Sequence, residues 1–263
     1  MHYLYKGNLN LTENKRVKNG IEYYVRGYVQ VGDAYYERYA VKTEFIEPGA
    51  NITELVEKYV MPIYKKGDIL AVTEKLVSLA EGRVVNYENK TPGKAASFLG
   101  KMMKTPVAYD FDRKLKTQAI IDVCGLPKVL FAAVIGGMGK IVKRNGLFYV
   151  VLGREASGID GLYTGSDIPF YREHAILIPK NYQAIIDEIE EKTLCPAFVS
   201  DTNDISCNIY GLSKGVSLSK AKLETIMDDN PGGQNDELTP FIIIRRVSED
   251  EKEDCVLPPE IKK

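Results

Sequence analysis

The first part of the chain alternates between two sets of residues in the way that β-strands do. Ile21 and Val25 fall on one face of the segment at residues 20–46, and Tyr24 and Arg26 fall on the other. The pair Gly32-Asp33 interrupts this pattern and is typical of a hairpin turn. The alternation therefore predicts an antiparallel β ribbon over residues 1–40, with one face of the sheet in water.

Turn residues and periodicity predict the elements that follow. Asn51 is a typical helix N-cap, with Glu54 as its capping-box partner, and it begins a helix at 52–60. Short apolar runs predict strands at 69–72, 175–178, 197–199 and 241–245, and helices are expected near 94–103 and at 182–193. Residues 128–151 predict a hairpin with a Gly-rich entry. Val129–Ile135 is apolar and β-branched, Gly136-Gly137-Met138-Gly139 interrupts it, and two strands then flank the turn Arg144-Asn145-Gly146.

The succession of strands and helices predicts an α/β (mixed α+β) fold. Antiparallel ribbons among the elements indicate mixed and antiparallel sheets with packed helices. We expect a single domain over residues 1–247, with the ribbon at residues 1–40 as its N-terminal part. Residues 248–263 are charged and aperiodic, which predicts a loosely held tail.

Composition narrows the classes of partner. The 263 residues carry 35 basic and 36 acidic side chains, a net charge of −1, so we expect neither nucleic acid nor membrane as a partner. The four cysteines form no C-x-x-C pair, and with two histidines a zinc site is not expected. The N-terminal residues show no apolar signal-peptide core, and no apolar run reaches the length of a membrane helix, so we expect a cytoplasmic location.

Hard oxygen donors occur at three separate points of the chain. Asp201 and Thr202 follow the strand predicted at 197–199, and Asp160 and Gln234 each lie in a Gly-rich turn. Carboxylate, hydroxyl and amide oxygens suit Mg²⁺ or Mn²⁺, which in turn bind phosphates. Simpler roles stay open, since Asp160 can cap its turn, Asp201 can cap a helix over 203–206, and Gln234 can be a plain turn residue.

The segment Thr73–Val85 is the least generic part of the sequence. Its pattern K-L-V-S-L-A-E-G-R is similar to the K-x-V-S-K-A-E-G-(R/K) signature of coenzyme F(420)-0:L-glutamate ligases, with Leu79 in place of a lysine. Further segments resemble motifs of that family in the same order: Thr43–Gly49, Ser157–Asp160, Ile176–Pro179, Ser200–Thr202 and Gly232–Pro240 with the strand after it.

The resemblance implies a gamma-glutamyl ligase-like fold, a homodimer, and small-molecule carboxylate and amino-acid substrates. It also implies GTP as co-substrate and Mg²⁺ or Mn²⁺ as cofactor, with an acyl phosphate that the glutamate amine displaces. The metal ligands it implies are Asp160, Asp201, Thr202 and Gln234. The nucleotide contacts it implies are Thr43, Glu44, Phe45, Ile46, Ser78, Leu79, Arg83, Gly232, Gly233, Gln234, Asn235, Asp236, Glu237, Leu238 and Thr239, with Tyr163 where the family has an asparagine.

A further departure from the family concerns the substrate. After its S-D-T the family continues F-G-R-P-x-R, whereas Asn203–Cys207 offers no arginine here. The leading hypothesis is therefore a metal- and nucleotide-dependent amide-forming ligase for a different acceptor. Two alternatives stay open: a non-catalytic relative that binds a small ligand or nucleotide, and a structural dimerisation module. The sequence does not distinguish GTP from ATP.

Overall fold

The computed structural model describes residues 11–102, 110–144, 146–203, 206–233 and 235–256. The strands in this part of the chain are β1 (Lys15–Lys18), β2 (Ile21–Val31), β3 (Ala34–Val41), β4 (Ile69–Thr73), β5 (Val84–Asn86), β6 (Asp160–Gly161), β7 (His174–Ile176), β8 (Ala197–Thr202), β9 (Cys207–Leu212) and β10 (Phe241–Val247). The α-helices are α1 (Leu11–Asn14), α2 (Ile52–Leu55), α3 (Glu74–Ala80), α4 (Lys94–Met102), α5 (Asp110–Cys124), α6 (Leu126–Ile141), α7 (Leu147–Leu152), α8 (Arg154–Ser157), α9 (Pro169–Glu173), α10 (Tyr182–Thr193) and α11 (Lys220–Met227). A π-helical turn, Val56–Val60, continues α2, and a 3₁₀ turn spans Asn235–Glu237.

The chain divides into two compact units. The first comprises Met1–Gly82 and Pro179–Lys263, and the second comprises Arg83–Ile178. The expectation of one domain over residues 1–247 stays a prediction. The predicted mixed α/β fold is confirmed, because strands and helices alternate and the main sheet is mixed.

A seven-stranded sheet forms the centre of the first unit, in the order β1-β2-β3-β10-β4-β8-β9. Strands β4 and β8 run parallel, whereas β10 is antiparallel to both β3 and β4. Alternate residues of β4 face two separate cores, as the two-residue period of a strand requires. Val72 packs with α2, the π-helical turn, α3 and α10 on one side, and Ala71 packs with α11 on the other.

Several predicted elements of this unit are confirmed. The Asn51 side chain accepts hydrogen bonds from the N–H groups of Thr53 (2.9 Å) and Glu54 (3.3 Å), and so begins the helix that α2 and the π-helical turn form. Helix α10 has the predicted bounds. The hairpin turn at Gly32-Asp33 is also confirmed, since the flanking strands β2 and β3 pair across it.

The expected water-facing side of the ribbon is wrong. Arg26 and Arg38 lie on β2 and β3, and both are 0% exposed. A register shift between Val25 and Tyr28 interrupts the alternation of β2, so the two-residue period does not extend through the strand. Segments from the C-terminal third of the chain then cover this side of the ribbon.

The expectation of a loosely held tail is wrong for residues 253–256. The Asn14 side chain donates to the carbonyl of Val256 (2.9 Å) and accepts from its N–H (2.7 Å). The N–H of Glu253 donates to the Glu37 carboxylate, and Cys255 is buried. Hydrogen bonds from the backbone of this segment to the Asn14 and Glu37 side chains therefore hold it in place, while residues 257–263 lie outside the described residues.

The second unit is mainly helical, with a small antiparallel sheet in the order β5-β7-β6. The hairpin predicted over residues 128–151 is wrong, because α6 and α7 occupy this stretch. Its glycines serve close helix packing: a Cβ at Gly136 would stand 3.0 Å from Cβ of Phe148, and one at Gly139 would stand 2.7 Å from Cδ1 of Leu147. An apolar run with glycines fits a buried strand and a closely packed helix equally well.

Among the described residues, no single helix is long and apolar enough to span a membrane. Helices α5 and α6 meet the criteria of length and composition only when they are taken together, and they are bent by 118° at their junction. The sequence likewise contains no apolar run of about 18 residues.

Two buried ion pairs join the ribbon to the C-terminal third of the first unit. The Arg26 guanidinium binds the Glu237 carboxylate, and the Arg38 guanidinium binds that of Asp229. Arg38 also donates to the carbonyl of Ile226 (3.0 Å) at the end of α11. Each guanidinium is removed from water, so the carboxylate and the backbone carbonyls that bind it must lie at fixed positions.

We expect Arg38→Met to lower the free energy of unfolding by about 3–5 kcal/mol, since it leaves the Asp229 carboxylate buried without its partner. Urea denaturation followed by circular dichroism measures this change. Arg16→Met is the matched control, because Arg16 pairs with Glu253 while 40% exposed and should cost less than about 1 kcal/mol. Equal losses in the two variants would contradict the account of the buried pair.

Candidate functional site

Four segments meet at one edge of the main sheet because of its strand directions. Phe241, the first residue of β10, lies opposite Val41 at the end of β3 and opposite Val72 near the end of β4. Ser200, near the end of β8, lies opposite Thr73. The segments at 43–49, 73–79, 200–208 and 232–240 therefore begin or end at the same edge. Ligands commonly bind in the crevice outside the carboxyl ends of parallel strands, here β4 and β8.

Backbone hydrogen bonds connect these segments. The Thr43 N–H donates to the carbonyl of Leu238 (2.9 Å), and the Thr73 N–H donates to that of Pro240 (3.0 Å). The Gly49 N–H donates to the carbonyl of Leu79 (2.9 Å). Three of the segments for which the sequence predicts nucleotide contacts are thereby held together, although they lie up to about 200 residues apart in the chain.

The loop at 232–239 has its own internal framework. The Thr239 hydroxyl donates to the carbonyl of Gly232 (2.5 Å), and the Asn230 side chain donates to that of Gly233 (3.2 Å). Gly233 has φ +70°, and a Cβ there would stand 2.6 Å from Cδ of Glu237. A glycine is required at this position because the backbone is left-handed and the Glu237 side chain packs directly against it.

Glu237 anchors this loop through its buried ion pair with Arg26. Its carboxylate is thus bound by the protein itself, and a nucleotide contact by Glu237 stays a prediction. The nucleotide contacts expected for the other residues of the loop likewise stay predictions, namely those of Gly232, Gly233, Asn235, Asp236, Leu238 and Thr239. Nothing is described of the Asn235 side chain. Gln234, a predicted metal and nucleotide ligand, lies outside the described residues.

Lys42 is a cation of this site that the sequence analysis missed. Its ammonium donates to the carbonyl of Glu237, and burial lowers its pKa by disfavouring the charged form. Its position next to Thr43 is the one signal in the sequence that points to it. Lys42 therefore joins the end of β3 to the 232–239 loop.

The predicted nucleotide contacts nearest the core have largely buried side chains. Ser78, Leu79 and Thr43 are buried, and the Ser78 hydroxyl donates within α3 to the carbonyl of Glu74 (3.2 Å). Ile46 packs in the core, whereas the exposed Glu44 carboxylate accepts from the Tyr59 hydroxyl (3.2 Å). The side chain of Phe45, between them, is half-buried. Contacts from Ser78 and Leu79 to a nucleotide would therefore use backbone atoms.

Asp201 and Thr202 are the last two residues of β8, and both are half-buried. Val199 packs in the core on the α3 and α10 side, so the alternation of the strand directs Asp201 to that side and Thr202 to the other. The Thr202 hydroxyl contacts Sγ of Cys207 at 3.5 Å. The Asn203 side chain accepts a hydrogen bond from the Ser206 N–H (3.1 Å). The alternative that Asp201 caps a helix over 203–206 stays a prediction, since residues 204–205 lie outside the described residues.

Three further residues near Asp201 were missed by the sequence analysis. Asn208 lies opposite Asp201 across the β8–β9 pair, and therefore on the same face of the sheet. Tyr210, two residues along that face, stacks on Tyr182 with ring centroids 5.1 Å apart. The Tyr182 hydroxyl donates to the Glu74 carboxylate at the start of α3. The turn-forming pair Asn203-Asp204 was the signal in the sequence that a hairpin would bring Asn208 back to Asp201.

The surroundings of Cys207 disfavour the thiolate, which is the nucleophilic form of its side chain. Burial disfavours its thiolate and raises its pKa to about 11. The cysteine instead packs in the core on the α11 side of the sheet.

The second unit carries the remaining predicted site residues. Asp160 is half-buried in β6, and its Oδ1 accepts from the Gly161 N–H (2.7 Å), as the turn-capping alternative expects. The buried Asp112 carboxylate accepts from the N–H (3.1 Å) and hydroxyl (2.9 Å) of Thr164, next to the exposed Tyr163. Arg83 donates through Nε to the carbonyl of Ile178 (3.1 Å).

The predicted metal ligands divide between the units, Asp160 in the second and Asp201 and Thr202 in the first. Their convergence on one ion stays a prediction. Within the described ranges, no three His, Cys, Asp or Glu side chains form a group that would hold a metal. The donor chemistry nevertheless fits Mg²⁺, because this ion is commonly bound by one or two carboxylates, with waters and substrate phosphates completing its shell.

Comparison with known proteins gives one family. The model of the F420-0:gamma-glutamyl ligase family matches residues 40–199, more than half of the 263-residue chain. No curated protein matches the chain. The matched range includes the segments Thr43–Gly49, Thr73–Val85, Ser157–Asp160 and Ile176–Pro179, and it ends immediately before Ser200. With this match and the mixed α/β fold, the chain belongs to the F420-0:gamma-glutamyl ligase family.

Proposed function

We propose that this protein is a metal- and nucleotide-dependent ligase that forms an amide bond through an acyl phosphate, with an acceptor other than coenzyme F(420)-0. Membership of the family supports a gamma-glutamyl ligase-like function in general. The observation that carries the metal- and nucleotide-dependent part of this proposal is a set of backbone hydrogen bonds. These bonds join residues 43–49, α3 and the 232–239 loop beside Asp201. An enzyme that transfers a phosphoryl group needs such a preorganised edge, because positioning and electrostatics supply most of the catalysis.

GTP would bind at this edge, with its phosphates near the 232–239 loop. Backbone N–H groups in a Gly-rich loop favour phosphate oxygens, and the Lys42 ammonium adds a positive charge at the loop. The Arg26–Glu237 pair would keep the loop in position before the nucleotide arrives. Thr43–Ile46 and the start of α3 would form the other wall of the nucleotide site.

Mg²⁺ or Mn²⁺ would be held by Asp160, Asp201, Thr202 and Gln234. The bound ion would neutralise charge on the transferred phosphoryl group. Asp201 would supply a carboxylate at the end of β8, on the face of the sheet that also carries Asn208. The Thr202 hydroxyl donates to Sγ of Cys207 and keeps its oxygen lone pairs for a metal.

The acceptor is proposed to differ because the turn after Thr202 is short and lacks arginine. Asn203 and Ser206 close this turn with a 3.0 Å backbone hydrogen bond from the Asn203 N–H. A bidentate arginine is a strong and specific partner for a phosphate-bearing substrate, and none is present in the sequence from 203 to 207. An amino acid as the second substrate, a homodimer and a cytoplasmic location belong to the same proposal, and rest on the sequence arguments.

A non-catalytic nucleotide-binding relative is the second candidate function. The substitution of Leu79 for the lysine of the family signature favours it, because a cation that could stabilise phosphoryl transfer is lost. Turnover of GTP in the presence of an amine and a carboxylate library separates the two candidates, since only the ligase consumes the nucleotide.

Mn²⁺ with GTP should stabilise the wild-type protein, by about 2.7 kcal/mol at one hundred times the dissociation constant. Asp201→Asn should lose most of this gain, because the amide removes one of the proposed metal carboxylates. Thermal unfolding with and without Mn²⁺ and GTP measures the effect. Asp250→Asn, an exposed acid of the same unit, is the control and should respond like wild type. An undiminished gain in Asp201→Asn would place the ion elsewhere.

Incubation with coenzyme F(420)-0, L-glutamate, GTP and Mn²⁺ should give no efficient glutamate addition, since no arginine after Thr202 is available for the phosphate of that substrate. Mass spectrometry of the product, beside an authentic ligase under the same conditions, provides the measurement. Turnover comparable to that of the authentic enzyme contradicts the proposed change of acceptor. Absence of turnover together with loss of nucleotide binding contradicts the ligase proposal as a whole.

A further inference from the structure

Helix α6 presents an apolar face to solvent. Its exposed large apolar side chains range from 38% exposed at Leu126 to 83% at Ile141, and the others on the helix are Leu130, Phe131, Val134 and Met138. Val142, the residue after the helix, is exposed as well. Surfaces of this kind on a folded chain commonly mark a site of interaction.

Other residues of α6 already form the contacts between this helix and the core of the second unit. Val129 and Ala132 already pack inward, and α7 packs closely against Gly136 and Gly139. At about 100° per residue, the exposed apolar residues from Leu126 to Ile141 occupy an arc of roughly 140°. The exposed apolar face of α6 is therefore not part of the core of its own unit.

Lysines border this apolar face on both sides. On the same helical wheel, Lys128 lies about 60° beyond one border and Lys140 about 40° beyond the other. The Lys128 ammonium donates to the carbonyl of Leu152 (3.0 Å), so Lys140 is the border lysine on which the argument rests. Lys143 and Arg144 follow at the C-terminal end of the helix, and both are exposed. Long cationic side chains at the edges of an apolar stripe can keep their charge in water while the stripe is buried.

The sequence around the helix is strongly one-sided in charge. Residues 123–154 contain five cations, Lys128, Lys140, Lys143, Arg144 and Arg154, and no aspartate or glutamate. The net charge of −1 for the whole chain, which predicts no membrane partner, averages over this local excess. A partner that binds this surface must therefore present both apolar groups and negative charge.

We infer that α6 is an interfacial helix that binds the surface of an anionic lipid membrane. The helix is about 24 Å long and would lie in the plane of the interface, with its apolar face among the acyl chains and its lysines at the headgroups. A second copy of the chain fits less well, because an isologous interface would bring the cations of both copies together with no acid from this segment. This inference is independent of the proposed ligase activity.

The test is cosedimentation of the full-length protein with vesicles at low ionic strength. Wild type should bind phosphatidylglycerol-containing vesicles and bind pure phosphatidylcholine vesicles much more weakly. Val134→Asp places a charge at the centre of the apolar face and should weaken binding at least tenfold. Leu194→Asp is the matched control, since Leu194 is an exposed apolar residue of the first unit whose left-handed backbone (φ 58°) tolerates aspartate.

A charge variant tests the second half of the inference. Lys140→Gln, Lys143→Gln and Arg144→Gln combined should weaken binding to anionic vesicles roughly a hundredfold, at about fivefold per cation. Unchanged thermal unfolding of each variant confirms that it is folded. Absence of wild-type binding, or equal binding by Val134→Asp, overturns the inference. A solution dimer that Val134→Asp dissociates, without any vesicle binding, also overturns it and makes the second copy the occupant.

Discussion

The burial of Arg26 and Arg38 constrains the first unit more than any other interaction. Each guanidinium is fully removed from water, so each requires a carboxylate at a fixed position, and these carboxylates are Glu237 and Asp229. The ribbon near the N-terminus thereby determines where the end of α11 and the 232–239 loop lie. The proposed nucleotide site, where Thr43, α3 and the end of β8 lie at one edge of the sheet, also requires this loop in its observed position.

This constraint links the fold to the proposed function. A loop of glycines and polar residues has little core of its own, so its position has to come from outside. Here the buried pair, the Thr43 and Thr73 backbone bonds and Lys42 hold it at the carboxyl ends of β4 and β8. The catalytic proposal depends on this preorganisation more than on any single ligand.

Sequence reasoning succeeded where local signals agree with the tertiary structure. The Asn51 cap, the amphipathic α10 and the Gly32-Asp33 turn each depend on residues a few positions apart, and each is confirmed. It failed for α6, because glycines that permit close packing of α7 resemble the interruptions of a hairpin. It also failed for Arg26, whose burial depends on a partner 211 residues away. At the site, the motif at 200–202 was found, but the opposite faces of Asp201 and Thr202 and the nearness of Asn208 follow only from strand pairing.

The proposed ligase requires a phosphate-bound metal at this edge of the sheet, on the Asp201 carboxylate. Crystals grown with Mn²⁺ and a non-hydrolysable GTP analogue test it most directly, because the anomalous signal of manganese locates the ion without reference to any motif. We predict an anomalous peak about 2.1 Å from an Asp201 carboxylate oxygen, with the nucleotide phosphates in the same coordination shell. A manganese peak remote from Asp201, with nucleotide bound there, would contradict the account.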